Sequence, residues 1–190
     1  MMRENAQIEG DVLALCDQEA AERAPIVHGR ACMSTSLALD GFDLRLLLAL
    51  QEDGRLTNGE LAERVALSPS QCSRRRLRLE EAGIIQGYRV VIPPARVGLD
   101  VLVFVQVTLA THSADNAKRF AELVGGLPCV LEAHSMTGDA DYLLKLVVGS
   151  LPELARVIND RLMPHESVAH VRSAIVLETL KSDGALPLGA

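Results

Sequence analysis

Long apolar runs are missing from this chain. Segments such as Val101 to Val105, and Leu143 to Val148 with Lys145 inside it, fall far short of the ~20 residues that a bilayer-spanning helix needs. The first residues show no basic-then-apolar secretory pattern, so a soluble cytosolic protein with no membrane partner is expected. Cysteine is sparse: Cys16, Cys32, Cys72 and Cys129 lie far apart, with no C-x-x-C and no nearby histidine pair. That excludes a zinc ribbon or a disulfide framework, and the thiols are expected to be reduced. There is no G-x-S-x-G, phosphate loop or dinucleotide fingerprint, so the sequence points to no catalytic residue, no metal and no cofactor. Repeats and low-complexity segments are absent too. What is present is a 48% hydrophobic chain of 190 residues, enough for one large or two small domains.

Positive charge is also scarce overall, since the net charge is -6, and Lys and Arg supply most non-specific affinity for nucleic acid. The distribution matters more than the total. Residues 1–39 carry three basic and six acidic side chains, residues 40–96 nine and eight, and residues 97–190 seven and eleven. Only the middle segment is not acidic, and Arg74, Arg75, Arg76 and Arg78 form one dense cluster within it. A local patch of this kind suits DNA even in an acidic protein.

Residues 1–36 have no sustained helical period and contain Pro25, Gly29 and a Met33-Ser-Thr-Ser stretch. They read as a tail, with a short helix over Asp11 to Arg23, or as an over-long reading frame whose translation starts at Met33. From Asp40 the pattern sharpens. Phe42, Leu46, Leu47 and Leu50 recur at helical spacing up to Asp53-Gly54, predicting a first helix. Thr57-Asn-Gly-Glu60 has the form of a capping box, followed by the apolar stripe Leu61, Ala62 and Val65. Ser68-Pro69-Ser70-Gln71 repeats that logic with Pro at the first helical position, opening a third helix to about Ala82 and a stop at Gly83. Two capped helices a few residues apart make a helix-turn-helix. Ile84 to Ile92, rich in β-branched residues around Gly87, reads as a strand pair or wing, and Pro93-Pro94 as a linker.

The remainder changes character. Strands are expected over Val101–Leu109, Cys129–Met136, Tyr142–Val148 and Val168–Leu180, and helices over Asn116–Val124 and from a capping box at Ser150-Leu-Pro-Glu153. The order β-α-β-β-α-β folds most simply as a four-stranded antiparallel sheet with both helices on one face, the ferredoxin-like arrangement.

The third helix carries groups that fit a major groove. At 100° per residue Ser70, Ser73, Arg74 and Leu77 fall on one side, and Cys72, Leu79 and Ala82 on the other. Arg bridges guanine N7 and O6 and Gln bridges adenine, so Arg74 and Gln71 are the main base-reading candidates. The serines serve bases or phosphates, and Arg75, Arg78 and Arg89 suit phosphates. Arg76 falls toward the packed side and is expected to lift its head into water. The plainer alternative is a solvated arginine face paired with Glu80 and Glu81.

Thr137-Gly138-Asp139-Ala140-Asp141-Tyr142 joins two strands. A free amino acid needs a carboxylate for its ammonium group and N–H donors for its own carboxylate. A Gly-containing turn with two Asp offers both. The competing reading is a hairpin turn in which Asp caps the backbone. His134, with Asp139 and Asp141, lacks a second histidine or cysteine at ligand spacing and reads as structural.

Taken together, Leu39-Asp40 to Leu50, Gln51-Glu-Asp-Gly-Arg-Leu-Thr-Asn, Leu61-Ala-Glu-Arg-Val-Ala-Leu-Ser-Pro-Ser, Arg78-Leu-Glu-Glu-Ala-Gly-Ile-Ile-Gln-Gly-Tyr88 and Gly138-Asp-Ala-Asp-Tyr-Leu-Leu resemble the Lrp/AsnC (feast/famine) family over about residues 39–181. The resemblance implies an α+β chain: a winged helix-turn-helix over 38–92, a linker over 93–99, and a ferredoxin-like RAM-type domain over 100–181 that binds effector and oligomerises. Tails of 1–37 and 182–190 flank them. It also implies homodimers through the C-terminal sheets, often assembled into octamers, that bind double-stranded DNA. By the same resemblance Ser68, Ser70, Gln71, Arg74, Arg75 and Arg78 match the DNA-contacting helix, and Met136, Thr137, Gly138, Asp139, Asp141 and Tyr142 the effector loop. The expected function is regulation of transcription under control of a small-molecule effector, an amino acid, at genes of amino-acid metabolism. An architectural DNA protein with little sequence choice, or an amino-acid-binding enzyme regulator, are the alternatives.

Overall fold

The computed structural model describes residues 38–182 and 184–189. The tail over 1–37 and the helix over Asp11–Arg23 lie outside the described residues. The chain forms two compact units, one of residues 92–178 and one of residues 38–91 together with the chain from 179 onward.

The smaller unit is three helices, each opened by a reciprocal cap. Helix α1 spans Gly41–Glu52: Asp40 accepts the Phe42 and Asp43 backbone N–H groups, and Asp43 accepts that of Asp40. Helix α2 spans Asn58–Val65 behind Thr57 and Glu60, and helix α3 spans Pro69–Glu81 behind Ser68 and Gln71, with Pro69 where its missing N–H is harmless. All three were legible in the hydrophobic period. Leu46, Ala49, Leu50, Leu56, Leu61, Ala62, Val65, Cys72 and Leu79 form the buried core. The turn between α2 and α3 is set by Ala66 in the left-handed region, φ 56°, a conformation that costs an L-residue roughly 1–2 kcal/mol. The expected C-terminal tail returns to this unit, where the Leu186 N–H donates to Gln51 Oε1 at 2.6 Å.

Beyond α3 one expectation fails. Ile84 to Ile92 forms no strand pair; after Gly83 and Gly87, both at positive φ, the segment runs on without a ladder. Its β-branched residues favour extended backbone, but no second strand lies beside it among the described residues. Val90 and Val91 stay 84% and 76% exposed. In the expected linker, Pro94–Val97 closes one 3₁₀ turn.

The larger unit follows the βαββαβ order. Strand β1 is Val101–Leu109, helix α4 Ala114–Gly125, strands β2 and β3 Val130–Ser135 and Tyr142–Val148, helix α5 Leu151–Arg156 with a π-helical continuation Val157–Leu162, and strand β4 Val168–Ile175. The sheet order is β2-β3-β1-β4, all antiparallel. Alternation along β1 sends Val103, Val105, Val107 and Leu109 to the helix side, where Leu144, Leu146, Val148, Phe120, Leu127, Leu154 and Leu162 complete the core. The opposite face carries Phe104, 37% exposed, with Gln106, Glu132, His134 and Arg172. Strand β4 ends at Ile175, short of the expected Leu180. Ile175 pairs with Val103, and after the Val176 N–H reaches Leu102 O the partner strand is nearly exhausted. Helix α4 begins earlier than expected because Ser113 caps it through the Asn116 N–H.

Candidate nucleic-acid interface and effector pocket

Caps and core fix the rotation of α3. Cys72 and Leu79 are fully buried, and burial pushes the Cys72 thiol pKa up. Ser68, Ser70, Gln71, Ser73 and Arg74 are exposed at the N-terminal end, as is Leu77, and Arg74 makes no ion pair with any described residue. The N-terminal end of α3 is therefore polar, solvent-facing and at the positive pole of the helix.

Three of the expected contacts stand differently. The Gln71 Oε1 accepts the Ser68 N–H at 3.0 Å and the Ser68 hydroxyl at 3.1 Å. A two-point bond to adenine needs that same oxygen, so the amide is spoken for by the cap. Arg75 Nη1 lies 2.7 Å from both Asp40 Oδ2 and Asp43 Oδ1, and Arg78 Nη2 donates to Asp43 Oδ2. These two guanidinium groups, expected on phosphates, thus face α1. Arg76 does not lift its head into water. It bonds Glu80 and the Leu56 carbonyl and lies over the Tyr88 ring at 4.7 Å. Arg89 is exposed on the segment after α3.

The electrostatics follow. The Asp43 backbone N–H and the Arg75 guanidinium hold the Asp40 carboxyl down at about 2. Paired with Asp43 and Asp40, the Arg75 guanidinium is pushed further up. Desolvation and the bond to Glu80 push the Tyr88 phenol up.

In the larger unit the expected loop lies between two concavities. One, of about 310 Å³, is lined by Leu109, His112, Ser113, Ala114, Ala117, Ser135, Met136, Asp141 and Tyr142. The other, of about 440 Å³, is lined by Gln106, Thr108, Asp139, Ala140, His170, Val171 and Arg172. Met136, Asp141 and Tyr142 thus belong to the first and Asp139 to the second. Thr137 and Gly138, the latter at φ 130°, form the exposed crest between. Tyr142 also packs on Phe120, ring centroids 4.7 Å apart. His134 stands on the open sheet face, its Nε2 3.3 Å from Glu132 Oε2. The Lys145 ammonium, bonded at 2.8 Å, and His134 draw the Glu132 carboxyl below its usual range.

The sequence reading missed the wall from His112 to Ala117. The signal was available, since Ser113 three residues before Asn116 is a helix start. That wall brings the N-terminal turn of α4, with its donor N–H groups, beside the Asp141 carboxylate and the apolar Met136, Leu109 and Ala117. A carboxylate acceptor, N–H donors and an apolar lining thus stand together around one concavity.

Two family models match: a winged helix-turn-helix DNA-binding domain over residues 39–86 and the Lrp/AsnC ligand-binding domain over residues 102–186. The leucine-responsive regulatory protein of Rhizobium meliloti is 38% identical over 149 residues, 78% of this chain and 96% of that protein. That of Escherichia coli is 37% identical over 148 residues, 78% and 90% of the two chains. Among solved structures, a transcriptional regulator of Neisseria meningitidis in complex with L-methionine is 39% identical, with a TM-score of 0.77 over 80% of this chain and 98% of that one. Escherichia coli AsnC is 27% identical, with a TM-score of 0.70 over 76% and 96%. With both halves matched in order, the chain belongs to the Lrp/AsnC family of DNA-binding transcriptional regulators.

Proposed function

We propose that this regulator reads the major groove with the N-terminal end of α3, through Arg74, Ser70 and Ser73, with Arg89 on the flanking backbone. An amino acid held beside Met136, Asp141 and Tyr142 changes its occupancy of promoters of amino-acid metabolism genes. One observation carries the reading: α3 buries Cys72 and Leu79 while Ser70, Ser73 and Arg74 face solvent. In this reading residues 38–92 grip DNA and residues 100–181 sense the effector. The protein works in the cytoplasm by binding rather than by catalysis. No helix among the described residues is long and apolar enough to cross a membrane.

The amino acid is the effector because the concavity by Asp141 supplies an acceptor for an ammonium group, N–H donors at the start of α4 for a carboxylate, and apolar lining. The related Neisseria meningitidis regulator was solved with L-methionine. The open sheet face bearing Phe104 suits a second copy of the chain. Dimers joined there and assembled into an octamer would place effector loops of neighbouring dimers together, and coupling of ~1–3 kcal/mol between sites is enough to switch occupancy.

The test has two arms. Thermal-shift screening of the twenty amino acids should find a ligand whose shift vanishes when Asp141 is replaced by Asn. Gel shifts against the region upstream of the gene should show one preferred duplex, weakened at least tenfold by Arg74→Ala and tuned by that ligand. Binding with no preferred site would make this an architectural protein instead.

A further inference from the structure

The helix-turn-helix unit buries a carboxylate that DNA contact does not require. Asp43 is 0% exposed, and both its oxygens are used: Oδ1 takes Arg75 at 2.7 Å, and Oδ2 takes Arg78 and the Asp40 N–H. The same Arg75 nitrogen reaches Asp40 at 2.7 Å, and its guanidinium lies 5.5 Å from the Phe42 ring centroid. Arg75 and Arg78 stand three residues apart on α3, so they share the face turned to α1. The Arg75 side chain is only 20% exposed. Arg78 Nε is buried with no acceptor among the described residues, so the pull of Asp43 on its head outweighs an unsatisfied donor on the same side chain.

We propose that Asp43 is a positioning residue for DNA reading: it clasps Arg75 and Arg78 on the protein side, fixes the rotation of α3, and leaves Arg74 to meet the duplex. The physical ground is the asymmetry of buried charge. If Arg75 swung to a phosphate, Asp43 would lose one of its two guanidinium partners while still in the core, which is unfavourable unless another cation replaces it. A phosphate at the surface, already neutralised by mobile counterions, offers Arg75 less. The four-arginine cluster is thus divided in purpose. Arg75 and Arg78 are internal fasteners, Arg76 ties α3 to Leu56 and Glu80, and Arg74 is the DNA-facing cation. This deepens the groove reading above and rests on it.

Salt dependence separates these roles, because each phosphate neutralised adds about 0.9 to the slope of log K against log salt. The full-length protein is titrated from low to moderate salt with a duplex it selects from a randomised pool, and with an unrelated duplex of equal length. Arg89→Ala, which removes the cation assigned to the flanking backbone, should flatten the slope by about 0.9, Arg74→Ala should lower the ratio of selected to unrelated affinity, and Arg75→Ala should weaken binding and leave the slope unchanged. Asp43→Asn, similar in shape, should release the arginines, steepen the slope by about 0.9 or more, and lower the ratio of selected to unrelated affinity at least tenfold. A merely structural aspartate would not move the slope. The proposal is overturned if Arg75→Ala flattens the slope by about 0.9, as loss of a phosphate contact does, or if folded Asp43→Asn keeps both slope and ratio. Should Asp43→Asn not fold, the Arg75→Ala slope decides alone. Failure of the groove reading is recognised separately: Arg74→Ala would then leave the preference for the selected duplex unchanged in a protein that still binds DNA.

Discussion

Asp141 Oδ2 accepts the backbone N–H of Leu109 at 2.7 Å, which fastens the turn before β3 to the end of β1. The Asp141 N–H reaches Val107 O at 3.0 Å, and its carbonyl takes the Met136 N–H at 2.8 Å. One carboxylate oxygen is therefore structural, and the other, 3.3 Å from His112 Nδ1, faces the concavity. Replacing Asp141 by Ala orphans a buried N–H and should destabilise the larger unit by about 1–3 kcal/mol. Asp141→Asn keeps an acceptor for Leu109 and should melt close to the parent. It should nonetheless lose the amino-acid-induced shift, since an amide no longer balances an ammonium group. Melting curves of both variants, with and without the ligand, check this; equal loss of stability in the two would refute it.

The crest of the same loop gives a second prediction. Gly138 holds φ 130°, where a Cβ is strained whatever space surrounds it. Gly138→Ala should displace Asp139 and Asp141 relative to each other and weaken the ligand shift. Capture of DNA by α3 in the absence of ligand should stay within twofold, as gel shifts would show. Loss of DNA capture in the ligand-free variant would mean that the crest serves the DNA-binding unit as well.

Why some of this was legible and some not comes down to which forces act locally. The capping boxes at Thr57 and Ser68 and the strands β1 and β3 follow from hydrogen bonds and alternation within a few residues, so the sequence pattern predicts them closely. The fate of the arginines is a tertiary matter. Arg75 lies only about 40° around the helix from Leu79, nearer the packed side than the groove side, yet nothing in its own segment says that a buried Asp43, 32 residues earlier, awaits it. The strand pair failed for the opposite reason: β-branched residues at 84–92 express a preference for extended backbone, but a ladder needs a partner, and preference supplies none. The helix start at Ser113 was readable from its cap, and its place beside Asp141 was not, because β1 must fold next to β3 before the two meet.

The turn between α2 and α3 is a test of strain. Ala66 sits at φ 56° at roughly 1–2 kcal/mol above a right-handed residue. Glycine removes that strain while adding ~0.4–1 kcal/mol of unfolded-state freedom. Ala66→Gly should therefore leave the smaller unit unchanged or up to about 1.6 kcal/mol more stable, and Ala66→Val should destabilise it by more than about 1 kcal/mol. Urea titrations followed by helical circular dichroism measure both; stabilisation by Val would contradict the backbone conformation.

Acid should loosen α1 from α3 in a window that Asp40 sets. Its carboxyl is held at about 2, against 3.8 ordinarily, first by the Asp43 N–H and then by Arg75. A depressed folded value means that the unfolded chain binds the proton more tightly, so the contribution is complete above about pH 4 and disappears as pH falls toward 2. Asparagine at this position still caps the helix but carries no charge. Asp40→Asn should thus lower stability at neutral pH and show a flatter decline between pH 4 and pH 2 than the parent. Urea midpoints recorded from pH 6 to pH 2 decide it. Parallel declines would show that Asp40 keeps its ordinary affinity for protons and that Arg75 is held by Asp43 alone.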